Sequence, residues 1–282
     1  MSVDVSPRTA VRYPPGEHAW VAFDDDDWFL SLVAAYFADG MAQRQRLVWL
    51  SNGYDGAALA SALAEHGLVL TDLVDSGDLV IRGNRPVGMF DNAAAMEGWA
   101  LRAAQAVRDG YTALRVASEV PPPIGPVAEH ALAEYEFLAD RALALSGSLA
   151  LCGYDVRRWP TDAVELAEAF HGARHCSRAD VGGTSFTIRA GHDGASIAGE
   201  VDTFDATLFT RSVPAVSGES DRLVLDLTRL TFVDAGGLTA LARAVEGWER
   251  AGQRVALHGA RPVVRRCWSL LGFDTVTRAV FV

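Results

Sequence analysis

The sequence predicts an α/β protein of two units. The first is a mostly parallel sheet with helices on both faces, and the second a smaller mixed sheet backed by helices. Three observations predict it. Up to about residue 174, short apolar runs alternate with helix-period segments, the pattern of strands and their crossover helices. The polar, glycine-containing stretch GARHCSRADVGG then breaks the alternation, and two β-like runs joined by a turn with two glycines follow it. The length, 282 residues, exceeds the roughly 100–200 of one ordinary domain.

The elements follow in order. Residues 1–15 form a polar tail, and the first unit spans 16–171. Its strands are the β-branched, aliphatic and aromatic runs at Ala19–Phe23, Leu47–Ser51, Leu79–Arg82, Ala113–Ser118 and Ser148–Tyr154. Helices are predicted near Asp27–Gln43, Gly56–Glu65, Asn92–Arg108, Val127–Leu145 and Ala163–His171. The Pro-rich stretch Val120–Pro126 cannot continue a hydrogen-bonded ladder and is predicted to be a rim loop. Residues 172–183 are predicted to be a linker, and 184–282 form the second unit. There, Thr184–Ala190 and Ala195–Glu200 make a hairpin around Gly191–Gly194. A short helix after Asp202 leads to a strand at Leu223–Leu227, a helix from about Gly236, a strand at Arg254–His258 and a helix near Val263–Leu271. Leu238, Leu241, Val245 and Trp248 recur three and four apart, which places them on one buried stripe.

Composition narrows the chemistry. With 50% hydrophobic and 22% charged residues, the chain can bury a core and is not a disordered one. All 25 basic residues are Arg. Without Lys there is no Walker-type phosphate loop, Schiff-base chemistry or pyridoxal-phosphate anchor. The net charge of −11 sits in residues 1–174, with 13 Arg against 24 acidic residues (13 − 24 = −11), while residues 175–282 balance 12 against 12. Such acidity disfavours nucleic acid and anionic membranes as partners. No apolar run approaches the roughly 20 residues of a membrane helix, and the start lacks a signal peptide's apolar middle, which predicts a cytoplasmic protein. Cys152, Cys176 and Cys267, odd in number and far apart, suit reduced thiols.

In an open parallel sheet the ligand crevice lies beyond the carboxyl ends of the strands. The predicted ends carry Asp24-Asp25-Asp26-Asp27, Ser51-Asn52-Gly53-Tyr54, Arg82-Gly83-Asn84, Ser118-Glu119 and Cys152-Gly153-Tyr154-Asp155, a polar and aromatic rim suited to a small organic ligand. The acidic run fits a helix cap and first turn better than a Mg²⁺ or Ca²⁺ site. Arg115, inside an apolar strand, demands a buried partner such as Glu119 or Glu136. Cys152 with His18 or His171 would make a nucleophile and base, but a core thiol is the simpler reading. His171, His175 and Cys176 lack a clear fourth metal ligand. The expectation is therefore no enzyme, no metal and no cofactor.

Several short motifs in order carry a resemblance: His18, Ala22-Phe23-Asp24-Asp25, Gly88-Met89-Phe90-Asp91, Leu114-Arg115-Val116, Tyr135-Glu136, Leu151-Cys152-Gly153-Tyr154-Asp155, and His171. Together they resemble the MEDS domain, the methanogen/methylotroph DcmR sensory domain. The resemblance implies a RecA-like or KaiC-like sheet that has lost nucleotide hydrolysis and senses small organic compounds. On it rest the candidate ligand residues His18, Asp25, Tyr54, Arg115, Glu119, Glu136, Cys152, Tyr154 and His171.

The segment from Leu223 to Leu241, with Gly199-Glu200-Val201-Asp202 before it and Leu271-Gly272-Phe273 after it, resembles the STAS domain of anti-sigma factor antagonists. That resemblance implies protein binding without catalysis, with Asp202, Asp234, Ala235, Gly236, Gly237 and Thr239 as candidate contacts for a kinase-like anti-sigma factor or another protein. The usual loop carries two hydroxyl residues, the second of them phosphorylated; here the positions hold Ala235 and Gly236, leaving Thr239 as a substitute acceptor. The expected protein is a cytoplasmic sensor coupled to a partner-binding antagonist, with a homodimer compatible. The alternatives are a STAS-type scaffold for another partner or, less favoured, an enzyme using Cys152.

Overall fold

The apolar runs and the helices between them build two sheets in the computed structural model, which describes residues 12–52, 56–69, 71–86, 91–123, 128–177, 183–218 and 220–282. Tyr54, the Gly88–Phe90 part of the sensory motif and residues 178–182 lie outside the described residues. Strands β1 (His18–Phe23), β2 (Arg46–Ser51), β3 (Leu79–Gly83), β4 (Leu114–Glu119), β5 (Leu149–Asp155) and β6 (Ala173–Cys176) pair in parallel, in the order β3-β2-β4-β5-β1-β6. Strands β1, β4 and β5 are buried along their whole length, as expected for a sheet covered on both faces.

Helices α1 (Asp26–Ala42), α2 (Gly56–Glu65), α3 (Thr71–Ser76), α4 (Asn92–Arg108), α5 (Ala128–Ser146) and α6 (Thr161–Glu168) alternate with these strands. Side chains alternate across each strand. Ala19, Val21 and Phe23 of β1 therefore pack with Phe29, Val33 and Phe37 of α1 on one face. Trp20 and Ala22 face α5 and α6 on the other, with Leu132, Phe137 and Leu166. At the start of α1, Asp25 is the N-cap, its Oδ1 accepting from Trp28 N at 3.1 Å.

The second sheet contains β7 (Phe186–Gly191), β8 (Gly194–Val201), β9 (Arg222–Val233), β10 (Arg254–His258) and β11 (Val280–Phe281), in the order β11-β10-β9-β8-β7. Only β7 and β8 are antiparallel, as the predicted hairpin. Helices α7 (Ala206–Ser212), α8 (Ala235–Arg250), α9 (Pro262–Leu270) and α10 (Phe273–Val276) accompany it. The predicted stripe of α8 is buried, Leu238, Leu241, Val245 and Trp248 all facing inward.

Two expectations need correction. Residues 173–176, expected in a linker, form β6, pairing with Ala19–Ala22 of β1. An edge strand needs a partner on one side only, so the polar sequence ARHC carries no apolar alternation to betray it. The strand expected at Leu223–Leu227 runs on to Val233, because its far half pairs with β8 past two register shifts. The two units meet in a shared core: Phe137 and Phe170 of the first lie in one buried cluster with Phe186, Ile188 and Phe209 of the second. Polar bonds reinforce this seam. Ile188 N donates to Ala169 O at 2.7 Å, Arg174 Nη1 donates to Thr184 O at 2.8 Å, and Arg189 pairs with Asp140 at 2.8 Å.

Candidate functional site

His18 opens β1, and Cys152 lies in the middle of β5 next to it, paired with Trp20. His171 follows α6, and Glu136 and Asp140 stand one turn apart on α5. All five are buried. His18 Nε2 lies 3.5 Å from Cys152 Sγ and 3.6 Å from Glu136 Oε2. His171 Nε2 lies 3.8 Å from the same Glu136 oxygen, and the two imidazole centroids are 3.7 Å apart. Tyr154 Oη donates to the other Glu136 oxygen at 2.9 Å, and His171 Nδ1 meets Ala167 O at 2.7 Å. His18 Nδ1 faces Asp140 Oδ1 at 3.7 Å, with no hydrogen bond of its own.

Burial sets the charges here. It pushes the His171 imidazole down to about 3 and His18 well below the usual histidine range, where His171 and Arg189 add to the effect. Burial also raises the Glu136 carboxyl to about 8, against the Tyr154 hydrogen bond, and Asp140 to about 6, against the Arg189 guanidinium. The Cys152 thiol is pushed well up by burial and by Glu136. Burial therefore favours the uncharged form of each of these groups.

A cavity of about 60 Å³ adjoins the cluster. It lies between α4, α5 and the sheet, with Met96, Trp99, Val116 and Tyr135 among its apolar walls and His18 and Cys152 on its polar side. At roughly 10–15 Å³ for each water-sized probe, such a space holds a molecule of a few heavy atoms.

A profile of the MEthanogen/methylotroph, DcmR Sensory domain (MEDS) matches residues 17–172, more than half of the chain. The chain belongs to the MEDS family. A second profile, described as Mlab, STAS domain, matches residues 186–280, so a MEDS domain is followed by a STAS domain. No curated protein matches the chain.

The structure brings together His18, Glu136, Cys152, Tyr154 and His171 of the candidate MEDS residues on the α5 side of the sheet, from His18 at the opening of β1 to Tyr154 one residue before the end of β5. The other described candidates lie elsewhere. Asp25 caps α1, and Glu119, at the end of β4, pairs with Arg158 at 3.3 Å. Arg115 points to the opposite face of the sheet and pairs with Asp39 at 2.7 Å, not with Glu119 or Glu136. Alternation excludes Glu136, since Leu114 and Val116 face the cavity and Arg115 therefore faces α1, while Glu119 leaves the same face as Arg115 but stands roughly 13 Å further along the strand. His175 and Cys176 do not join His171 either, since His175 meets Tyr13 Oη at 2.7 Å on the α1 face. The sequence reading missed Asp140, although its position four after Glu136, on a helix face with Leu132, Ala133 and Phe137, was a readable signal.

On the STAS domain, Asp234 caps α8. Its Oδ1 accepts from Gly237 N at 2.8 Å and its Oδ2 from Thr203 Oγ1 at 2.9 Å, which ties the β8–α7 loop to the start of α8. Asp202 Oδ1 accepts from Phe204 N at 2.8 Å. Phe204 is 93% exposed beside these bonds and Phe232 is 48% exposed near the end of β9; neither aromatic was singled out from sequence. Ala235 and Gly236 are exposed, Gly237 is packed against Val201 and Val233, and the Thr239 hydroxyl is engaged with Ala235 O at 2.7 Å. Among the described residues, no helix is long and apolar enough to cross a membrane.

Proposed function

We propose that the chain is a ligand-responsive signalling protein in which a small organic compound enters the MEDS cavity and alters partner binding by the STAS domain. Asp140 carries this reading. One carboxylate faces His18 at the polar side of the cavity and holds Arg189 and the Ala190 N–H of β7 in the STAS domain. A ligand that favours one arrangement of this junction shifts the population of STAS conformations. The chain binds its ligand and does not transform it, because the thiolate is the nucleophilic form of cysteine and burial opposes it at Cys152.

The output is anti-sigma factor antagonism in the cytoplasm, with a kinase-like anti-sigma factor docking on Phe204, Phe232 and the Asp234–Gly237 turn. Gly236, at the usual phosphoacceptor position, also favours a second reading, a STAS scaffold for another protein partner. Mixing the chain with such an anti-sigma factor and ATP separates the two readings. A complex that ATP leaves intact is expected, and stoichiometric phosphorylation that releases the partner overturns the ligand-switched mechanism. Phe204→Ala should weaken the complex about 10-fold or more, as a central aromatic contact does, while leaving stability within about 0.5 kcal/mol.

For the sensory half, native mass spectrometry identifies any retained compound, and a thermal-shift screen of small alcohols, amines and haloalkanes identifies binders. Ala103→Phe, which fills the cavity, is expected to abolish the ligand-induced shift. Hydrogen exchange should then report a ligand-dependent change in β7 and the Thr203–Gly237 face; a ligand that binds without any such change sinks the coupling.

A further inference from the structure

We propose that His18 Nε2, His171 Nε2, Cys152 Sγ and Glu136 Oε2 together bind a divalent zinc-type ion at the polar side of the MEDS cavity. The ligating atoms of His18, Cys152 and His171 all lie within 4.8 Å of one another. Measured between donors, the separations are 3.5 Å from His18 to Cys152, 3.6 Å from His18 to Glu136 and 3.8 Å from His171 to Glu136. The edges of a tetrahedron with Zn–N, Zn–O and Zn–S bonds of ordinary length are about 3.3–3.6 Å, and His18 and Cys152 stand at that span. Glu136, outside the group that lies mutually within 4.8 Å, and the two imidazoles, with centroids 3.7 Å apart, have to shift to complete it.

Of the four proposed ligating atoms, only His18 Nε2 and Cys152 Sγ are hydrogen-bonded to one another. At 3.6 and 3.8 Å the carboxylate oxygen and the two imidazole nitrogens are too far apart to bond one another. Glu136 Oε2 and His171 Nε2 accordingly stand buried without a hydrogen-bond partner, both aimed into the cluster. Buried polar atoms normally have partners, and one ion satisfies both at once.

The far sides of the rings are equally suited. A metal-bound imidazole usually donates its other N–H to a carbonyl or carboxylate, which fixes the ring and its tautomer. His171 Nδ1 meets Ala167 O at 2.7 Å, and His18 Nδ1 faces Asp140 Oδ1 at 3.7 Å. Glu136 is itself oriented by Tyr154 Oη through its other oxygen. On binding, the Cys152 thiol and any protonated Glu136 carboxyl release their protons to solvent, and the mixed nitrogen, sulfur and oxygen set selects zinc-type ions over Mg²⁺ or Ca²⁺. His18 and Cys152 line the cavity, so the ion would meet whatever enters it.

This inference deepens the cavity reading but is tested without a ligand. Full-length protein, stripped with chelator and titrated with Zn²⁺ and then Co²⁺, is expected to take up one equivalent of either ion. Bound Co²⁺ should show a tetrahedral spectrum with a thiolate charge-transfer band. Cys152→Ala should remove that band and weaken Zn²⁺ binding about 100-fold or more, whereas Cys176→Ala keeps both. His171→Gln supplies a second, thiol-independent loss of affinity. Failure of the wild-type protein to retain an equivalent of metal overturns the inference, as does a cobalt spectrum without the thiolate band or a band that survives Cys152→Ala. Each of these outcomes leaves the cavity reading to stand or fall on the thermal-shift screen.

Discussion

Asp140→Ala is expected to lower the unfolding free energy by about 3 kcal/mol and to split one cooperative transition into two, since removing one partner of a buried ion pair typically costs about 3–5 kcal/mol. Asp140 is buried; its Oδ2 accepts from Arg189 Nε at 3.1 Å and Ala190 N at 2.6 Å, and its Oδ1 forms an ion pair with Arg189 Nη2 at 2.8 Å. Alanine leaves the Ala190 N–H unpaired and the Arg189 guanidinium with Glu17 alone, at 3.4 Å. The lower end of the range applies because Arg189 is 23% exposed and can recover some hydration. Splitting is expected because the seam joins a shared core, so the MEDS and STAS domains unfold together only while it holds. Urea unfolding followed by circular dichroism and tryptophan fluorescence checks both claims. A second change, Arg189→Met, in the Asp140→Ala background should restore part of the loss by removing the stranded charge. A loss below 1 kcal/mol with coincident transitions contradicts the proposed role of this pair.

The layered fold was legible because its central strands are apolar on both faces and the helices between them carry caps and apolar stripes. Asp25 and Asp234 both cap the helices they precede, as short polar residues before an apolar run should. β6 was not legible, because an edge strand of four mostly polar residues looks like a linker. The site was half legible. Its residue types stood out as His18, Glu136, Cys152, Tyr154 and His171, but their meeting place did not. A sequence shows where strands end, which drew attention to the carboxyl edge. It does not show that His18, at the opening of β1, lies level with Ala150 of β5 and therefore close to Cys152 two residues on. Nor does it show that α5 places Glu136 and Asp140 against that point. Register and helix rotation are tertiary facts, set by how the two faces pack. The partner of Arg115 was misjudged for a related reason: Glu136 lies on the other face of the sheet, and Glu119, on the same face, is four residues along the strand and out of reach.

Gly40→Ala, ordinarily favourable in a helix by about 1 kcal/mol, is expected here to destabilise by about 2–3 kcal/mol. Gly40 lies in α1, and a Cβ added to it would stand 2.4 Å from Arg115 Cδ, 2.8 Å from Arg115 Nε and 2.8 Å from Leu47 Cδ2. Arg115 cannot step aside cheaply. It is fully buried, with Nη2 on Asp39 at 2.7 Å, Nη1 on Tyr36 O at 2.9 Å, Nε on Gln45, and its guanidinium 4.5 Å from the centroid of the Tyr36 ring. The added methyl therefore acts through these bonds, which fasten the end of α1 to the sheet on the face opposite the cavity. In an Arg115→Ala background the obstruction is gone and the Leu47 branch has room to swing, so the same methyl should cost almost nothing or stabilise slightly. The predicted coupling between the two positions is about 2 kcal/mol, well above the 0.3–0.5 kcal/mol within which independent sites add. Denaturant midpoints for the wild type, both single variants and the double variant measure it directly. Additive losses would mean that the added methyl is opposed by Leu47 or the helix itself and not by Arg115. Strong coupling would assign Arg115 to bracing α1 and explain why a buried cation in the MEDS sheet has no part in the cavity.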